Sequence, residues 1–422
     1  MTIAADPGSR ARFSWALFDF ANSGFPTVVS TFVFSAYFTQ AIAPDAETGT
    51  ALWGTAMGIA GLLIALTSPV TGAIADHTGR RKPWLALFTL ICVAATAALW
   101  FATPGAQSIP LALTAAVFGT VGFEVGLVFY NAMLPDLVSQ ERMGRLSGQA
   151  WGFGYAGGLI CLVIALTVFV QADPPPFGLE SSAAEHVRAT MLLTAGWIVV
   201  FAWPLFAFTP DAPPTGLPMA SAVRRGVTTL VATLRNARSH ANGFRFLVAR
   251  MIYIDGVNTM FAFGGIYAAG TFGMELADII MFGIALNVTA GTGAVVFGSI
   301  DDKLGSKRTL TISLVALILS SIAVLVAQTT TQFWIAGLIM STFFGPVQAA
   351  SRTFMARLAP AELRGEMFGL YAVSGKITSF AGPFVVGAVT ALASSQRIGM
   401  ATILIFLIAG LALLQTVDEP RD

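Results

Sequence analysis

Charge is what this chain has least of. Of its 422 residues only 11% are Asp, Glu, Lys or Arg and 55% are apolar, whereas a soluble domain carries about 25% charged residues. That balance, with a mean hydropathy of +0.75, excludes an ordinary soluble fold. Cysteine is nearly absent. Cys92 and Cys161 both sit in apolar runs, so no disulfide framework or zinc site is implied, and both read as small core residues. His77, His186 and His240 are scattered without metal-ligand spacing. Glycine is plentiful, but its clusters lie inside apolar runs. They do not form the phosphate-cradling loop after a strand that a nucleotide-driven pump requires. No enzyme chemistry, cofactor or metal is therefore expected, and a net charge of +1 makes no case for a nucleic-acid partner.

What is present is a series of long apolar runs. A helix of about 20 apolar residues spans a bilayer, and twelve such runs lie near 14–43, 51–74, 84–103, 108–134, 146–171, 189–208, 244–270, 276–299, 309–327, 331–355, 366–392 and 398–416. The first is too long for a signal segment and carries Asp19 and Asn22. Placing the N-terminus in the cytoplasm puts about 20 of the 23 basic residues at cytoplasmic ends. Arg188 and Arg397 then face outward, and Lys376 falls inside the eleventh helix. The positive-inside rule thus puts both termini in the cytoplasm.

Residues 209–243 divide the chain into a six-helix bundle over 1–208 and another over 244–422. Within this linker Met219, Val223, Val227, Leu230, Val231 and Leu234 recur at helical spacing opposite Arg224, Arg225, Arg235 and Arg238. The pattern suits a basic amphipathic helix on the inner leaflet, or a solvated linker. The halves repeat one another. Gly72-Ala-Ile-Ala-Asp76-His-Thr-Gly79-Arg80-Arg81-Lys82 returns 226 residues later as Gly298 through Asp302, Gly305 and Arg308. Pro135 to Gly148 returns as Ala356 to Gly369, and Asp19/Asn22 returns as Asp255/Asn258. The copies run in the same direction, so the halves are expected to be related by an axis along the membrane normal.

The Gly72–Lys82 loop resembles the signature G-x-x-x-D-x-x-G-R-[RK]-x-[RK] of the major facilitator superfamily, with its last basic position altered. The runs Trp15-Ala-Leu-Phe-Asp19-Phe-Ala-Asn22, Tyr130-Asn-Ala-Met-Leu-Pro-Asp136 and Arg145 to Gly158 resemble its "unknown major facilitator" branch, whose fungal relatives are vacuolar amino-acid effluxers linked to autophagy. The resemblance implies an all-α membrane fold of twelve transmembrane helices in two pseudo-symmetric bundles, and alternating access. It also implies that helices three, six, nine and twelve lie outside the central cavity. In this chain the apolar stretches of those four carry no charge. The superfamily's antiporter signature, a Gly-Pro element in helix five, is missing: that run has Gly148, Gly152, Gly154, Gly157 and Gly158 but no Pro.

Ionisable groups inside apolar helices are costly and mark functional sites. Glu124, in the middle of the fourth run with Asn131 two turns below it, reads as a proton-coupling group, a site for a substrate ammonium, or a structural partner of a neighbouring helix. The pairs Asp19/Asn22 and Asp255/Asn258 either bind substrate or fasten their own halves. Lys376, and Arg352 with Gln348 at i,i+4, suit a carboxylate substrate, or an ion pair with Glu124 or Asp255. Across the repeat Glu124, Asn131 and Tyr155 align with Gly345, Arg352 and Lys376. Such broken matches are where substrate choice is expected.

The repeated loops read as a cytoplasmic gate. Asp76 and Asp302 are expected to meet helix N-termini or arginines of the neighbouring helix. Gly79, Gly305, Arg80, Arg81, Asp136, Arg142, Arg145 and Arg364 complete the set, and Arg80, Arg81 and Lys82 are equally suited to anionic lipid. The expected protein is a monomeric secondary transporter of a small zwitterion or carboxylate, amino-acid-like, coupled to protons. It would lie in the cell (inner) membrane, or in the vacuolar membrane of a eukaryote. The alternatives are an exporter of a larger lipid-like or drug-like amphiphile and a carrier-derived sensor without flux.

Overall fold

Backbone polar groups in lipid must find partners within the chain, which leaves long apolar segments only the helix or the closed barrel. The computed structural model, which describes residues 8–235 and 240–419, takes the helical solution. Six long helices come first: α1 Gly8–Ile42, α2 Ala46–Thr78, α3 Lys82–Phe101, α4 Ala106–Ala132, α5 Gln140–Val170 and α6 Glu185–Phe208. The linker helix α7 is Met219–Arg235. Then follow α8 Ala241–Phe272, α9 Leu276–Leu304, α10 Ser306–Val326 and α11 Thr330–Leu358. The chain ends with α12 Arg364–Ser374, α13 Ala381–Ala393 and α14 Gln396–Gln415. Among the described residues 11 helices are long and apolar enough to cross a membrane, and α13 is a shorter apolar helix.

Local chemistry sets the boundaries. Asp45 caps α2 by accepting the Thr48 N–H at 2.8 Å, and Gly79 ends that helix at φ +83°, where a Cβ would stand 2.2 Å from the Pro213 carbonyl. Pro26 has no N–H to give, and α1 widens into π-type turns over Phe25–Phe32. The run expected as one helix over 366–392 is broken. Residues 375–380 form turns between α12 and α13, and Lys376 therefore sits in a turn and not inside a helix. Gly375 and Pro383 both disfavour a continuous helix here, and the carboxylate of Asp255 takes the Gly382 N–H at 3.1 Å.

The repeat is written into the packing. At the end of the bundle that carries the repeated loops, called the basic end below, Lys82 Nζ donates to Thr209 O at the end of α6 (2.7 Å). Lys307 Nζ donates likewise to Gln415 O of α14 (3.0 Å). Asp211 accepts the Arg81 N–H that starts α3, and Glu419 accepts the Lys307 N–H that starts α10. At the far end Arg188 caps α3 through Trp100 O, and Arg397 caps α10 through Leu325 O and Ala327 O. Each cation meets the negative end of a helix dipole.

Linker helix α7 docks one face on α2. Gly226 lies against the backbone of Ala73 and Ile74 in α2, and Ala222, Leu230 and Thr233 are buried on the same face. Leu230 thus leaves the expected apolar face. Met219, Val223, Val227, Val231 and Leu234 are exposed. Arg238 lies outside the described residues.

Candidate functional site

The two bundles meet through three layers of side chains, stacked from the basic end inward. The outermost holds the repeated loops. Asp76 of α2 accepts the Gly365 and Glu366 N–H groups, both at 2.9 Å, at the start of α12. Asp302 of α9 accepts the Arg145 N–H near the start of α5 at 3.1 Å, with the Arg145 Nε at 3.9 Å. Each carboxylate thus sits at the positive end of a helix in the opposite bundle. Asp136 joins the bundles again, bonded to Arg81 of its own half and at 2.5 Å to Arg364 of the other. Arg357 pairs with Asp301 at 3.0 Å and donates across to Gln140 O at 3.1 Å. Arg80 and Arg142 are exposed.

Small residues let these helices touch. A Cβ on Gly72 would stand 2.1 Å from Gly365 O, and one on Gly369 would stand 2.5 Å from Ser68 O. In the repeat-equivalent crossing a Cβ on Gly298 would stand 2.6 Å from Gly144 O, and one on Gly148 2.3 Å from Ala294 O. The same stripes lose contact farther from the basic end. A Cβ on Gly54, Gly58 or Gly61 of α2 would meet nothing within 4 Å, and the same holds for Gly283 of α9. The bundles are closed at the basic end and part toward the far end.

The second layer is built on Arg352, whose side chain is 3% exposed. From α11 it crosses into the other bundle, where Nη1 meets Asp19 of α1 at 2.9 Å and Asn131 of α4 at 3.5 Å. Its Nε and Nη2 donate to the hydroxyl and carbonyl of Ser147 on α5, at 2.9 and 2.7 Å. Trp15, Tyr130 and Trp151 surround the guanidinium with ring centroids 5.1, 5.6 and 5.7 Å from Cζ. A planar cation suits such aromatic faces. Trp15 and Tyr130 are themselves stacked at 4.4 Å.

The third layer is the pair Glu124–Lys376, with Oε1 and Nζ 2.7 Å apart. It too joins the bundles, yet its side chains keep 17% and 33% exposure. Seven residues beyond Gly369, Lys376 falls at the level of Gly61 on the facing helix, where α2 and α12 have parted. The pair therefore stands at the floor of the cleft, above the buried Arg352.

The other expected residues are placed differently. Asp255 is buried and binds the α13 backbone within its own half, without meeting Lys376. Asn22 is buried, and Asn258 and Gln348 are half-buried. Tyr155, aligned by the repeat with Lys376, is packed on Gly291 and lines a lateral groove of about 1150 Å³ between α1, α5 and α9. Gly305 turns at φ +86° beside Glu419. Sequence reasoning missed Ser147, the aromatic cage, and the Asp301–Arg357 pair. Ser147 could have been suspected from its place between Gly144 and Gly148, where only small residues let another helix approach.

Solved structures place this architecture. The chain superposes on the sugar symporter FucP in its outward conformation (TM-score 0.76, 12% identity, 97% of this chain and 99% of that one). It also superposes on the human organic anion transporter MFSD10 (TM-score 0.74, 15% identity, 96% and 99%). The fold is that of the major facilitator superfamily, in an integral membrane protein of many passes. A family model described as vacuole effluxer Atg22 like matches residues 47–422, and the chain belongs to that family. It is 28% identical over 415 residues to the MFS-type transporter YxiO of Bacillus subtilis, covering 96% of this chain and 94% of that protein. It is 21% identical over 310 residues to autophagy-related protein 22 of Yarrowia lipolytica, spanning 66% of this chain and 51% of the fungal one. This is a transporter family and not an enzyme class.

Proposed function

We propose that the protein is a secondary transporter that moves a small zwitterionic or carboxylate solute, amino-acid-like, by rocking its two bundles about the Glu124–Lys376 level. The observation that carries this reading is that ion pair: opposite charges from opposite bundles, 2.7 Å apart and still open to the cleft. A zwitterion presents the same two charges in reverse, so its carboxylate can displace Glu124 from Lys376 while Glu124 receives the ammonium or a proton. The description of the family as vacuole effluxers supports carriage of a solute across a membrane.

The rest of the machinery supports the cycle. With the basic end in the cytoplasm, as the positive-inside rule favours, a form closed at that end is the outward-open state. Asp76 and Asp302 hold that closure at helix N-termini of the opposite bundle, and Asp136 holds it through Arg364. Arg352 and Asp19 form the inner bolt. Purified protein in liposomes tests the reading. A panel of radiolabelled amino acids and carboxylates should show saturable flux that Lys376→Gln removes. Flux unchanged by Lys376→Gln would overturn the site assignment, and binding without flux would leave a sensor in place of a carrier.

A further inference from the structure

The lateral groove between α1, α5 and α9 plays no part in the cleft, and its chemistry is graded. Arg12, Arg142 and Arg145 line it toward the basic end, with Asp302 3.9 Å from the Arg145 Nε, and none of its described lining residues is acidic. Beyond them its walls are mostly apolar, with Val288 and Val295 about half exposed, and Gln149, Tyr155, Asn287 and Thr292 interrupt them. From Arg145 to Ile160 the groove follows α5 for about 22 Å at 1.5 Å per residue. That exceeds the roughly 15 Å half-thickness of a bilayer core. Its volume of about 1150 Å³ exceeds the roughly 300–1,000 Å³ of ordinary small-molecule sites.

The floor of the groove joins both bundles. A Cβ on Gly152 would stand 2.4 Å from Val295, and one on Gly291 would stand 3.1 Å from Tyr155. The Arg145 backbone is the one held by Asp302. An occupant lying along this seam touches α1 and α5 of one bundle and α9 of the other. It contacts both halves beside one of their two gates.

We propose that this groove binds one anionic phospholipid from the leaflet at the basic end, with its phosphate among Arg12, Arg142 and Arg145 and an acyl chain along the α5–α9 seam. The bound lipid bridges the bundles and stabilises the form closed at the basic end. Charge decides the lipid class: basic residues at a headgroup level favour anionic over zwitterionic lipid.

The test uses the full-length protein in detergent, titrated separately with phosphatidylglycerol, phosphatidylcholine and inorganic phosphate, and read by thermal unfolding and native mass spectrometry. Phosphatidylglycerol should raise Tm and persist as a one-to-one adduct, while the other two should do neither. Arg142→Gln, an exposed change, should weaken the apparent affinity about fivefold. Val288→Trp should displace the adduct by filling the groove. Arg224→Gln, on the linker helix, should leave both readouts unchanged. Equal effects of Arg142→Gln and Arg224→Gln would show a diffuse basic surface and overturn the proposal. So would stabilisation by phosphate alone, or an equal response to phosphatidylcholine.

Discussion

Asp76 and Asp302, equivalent in the internal repeat, each reach into the opposite bundle and accept backbone N–H groups at the start of a helix. The two contacts are not equal. Asp76 receives two N–H groups at 2.9 Å, and Asp302 receives one at 3.1 Å with a distant arginine. One motif written twice thus makes a strong and a weak latch on the same seam.

That inequality predicts unequal mutants. Asp76→Asn removes a charge from a helix N-terminus and about 1–2 kcal/mol of closure, or a roughly 5–30-fold shift in the closed-to-open ratio. Asp302→Asn should shift it less. Distances between spin labels at the basic ends of α2 and α12 report the ratio. Transport rate should fall more than binding affinity, and an affinity loss at unchanged rate would contradict the latch.

The inner bolt should behave as a buried pair. Asp19→Asn leaves Arg352 at 3% exposure without its counter-charge, a loss of about 3–5 kcal/mol. Thermal unfolding should show a large drop in Tm. The double variant Asp19→Asn/Arg352→Gln should recover part of it, giving a coupling energy in a double-mutant cycle. Strictly additive losses would deny the coupling.

Glu124 and Lys376 should separate chemistry from stability. Their partly open position makes Glu124→Gln tolerable to the fold, with Tm changed little. Gradient-driven uptake should be abolished while counterflow exchange continues, because exchange needs no net proton movement. Unchanged uptake under a pH gradient would remove Glu124 from coupling.

The crossings predict opposite outcomes for one kind of substitution. Gly72→Ala places a Cβ 2.1 Å from Gly365 O and should push the bundles apart at the basic end. Gly58→Ala, on the same stripe with nothing within 4 Å, should leave the structure unchanged. Cysteine labelling can read this over a quiet background, since Cys92 and Cys161 are buried. A Gly58→Cys variant should label from the far end in the wild-type background, and less when Gly72→Ala favours the other state.

Much of the fold was legible because its causes are local. Bilayer length fixes the run of apolar residues, and duplication leaves matched Asp, Gly and Arg positions in both halves. The break at 375–380 was missed since hydropathy counts apolar residues and is blind to a carboxylate, Asp255, arriving from another helix to take the Gly382 N–H. The Arg352 cage was missed for a similar reason. Trp15, Tyr130, Ser147 and Trp151 lie on three helices, and no periodicity links them to residue 352.

The sequence by itself determined the class: a twofold-repeated helical membrane protein with its charges kept to loop ends and to a few positions in the helices. It did so because burial in lipid and backbone hydrogen bonding act along the chain. Only the tertiary structure decided which charges pair. It set Lys376 on Glu124 and not Asp255, bolted Arg352 to Asp19, and turned Tyr155 away to a lateral groove. It also decided the state, closed at the basic end and parted at the other. Pairing and state depend on how two rigid bundles lean on one another, and that angle is set by contacts between residues hundreds of positions apart.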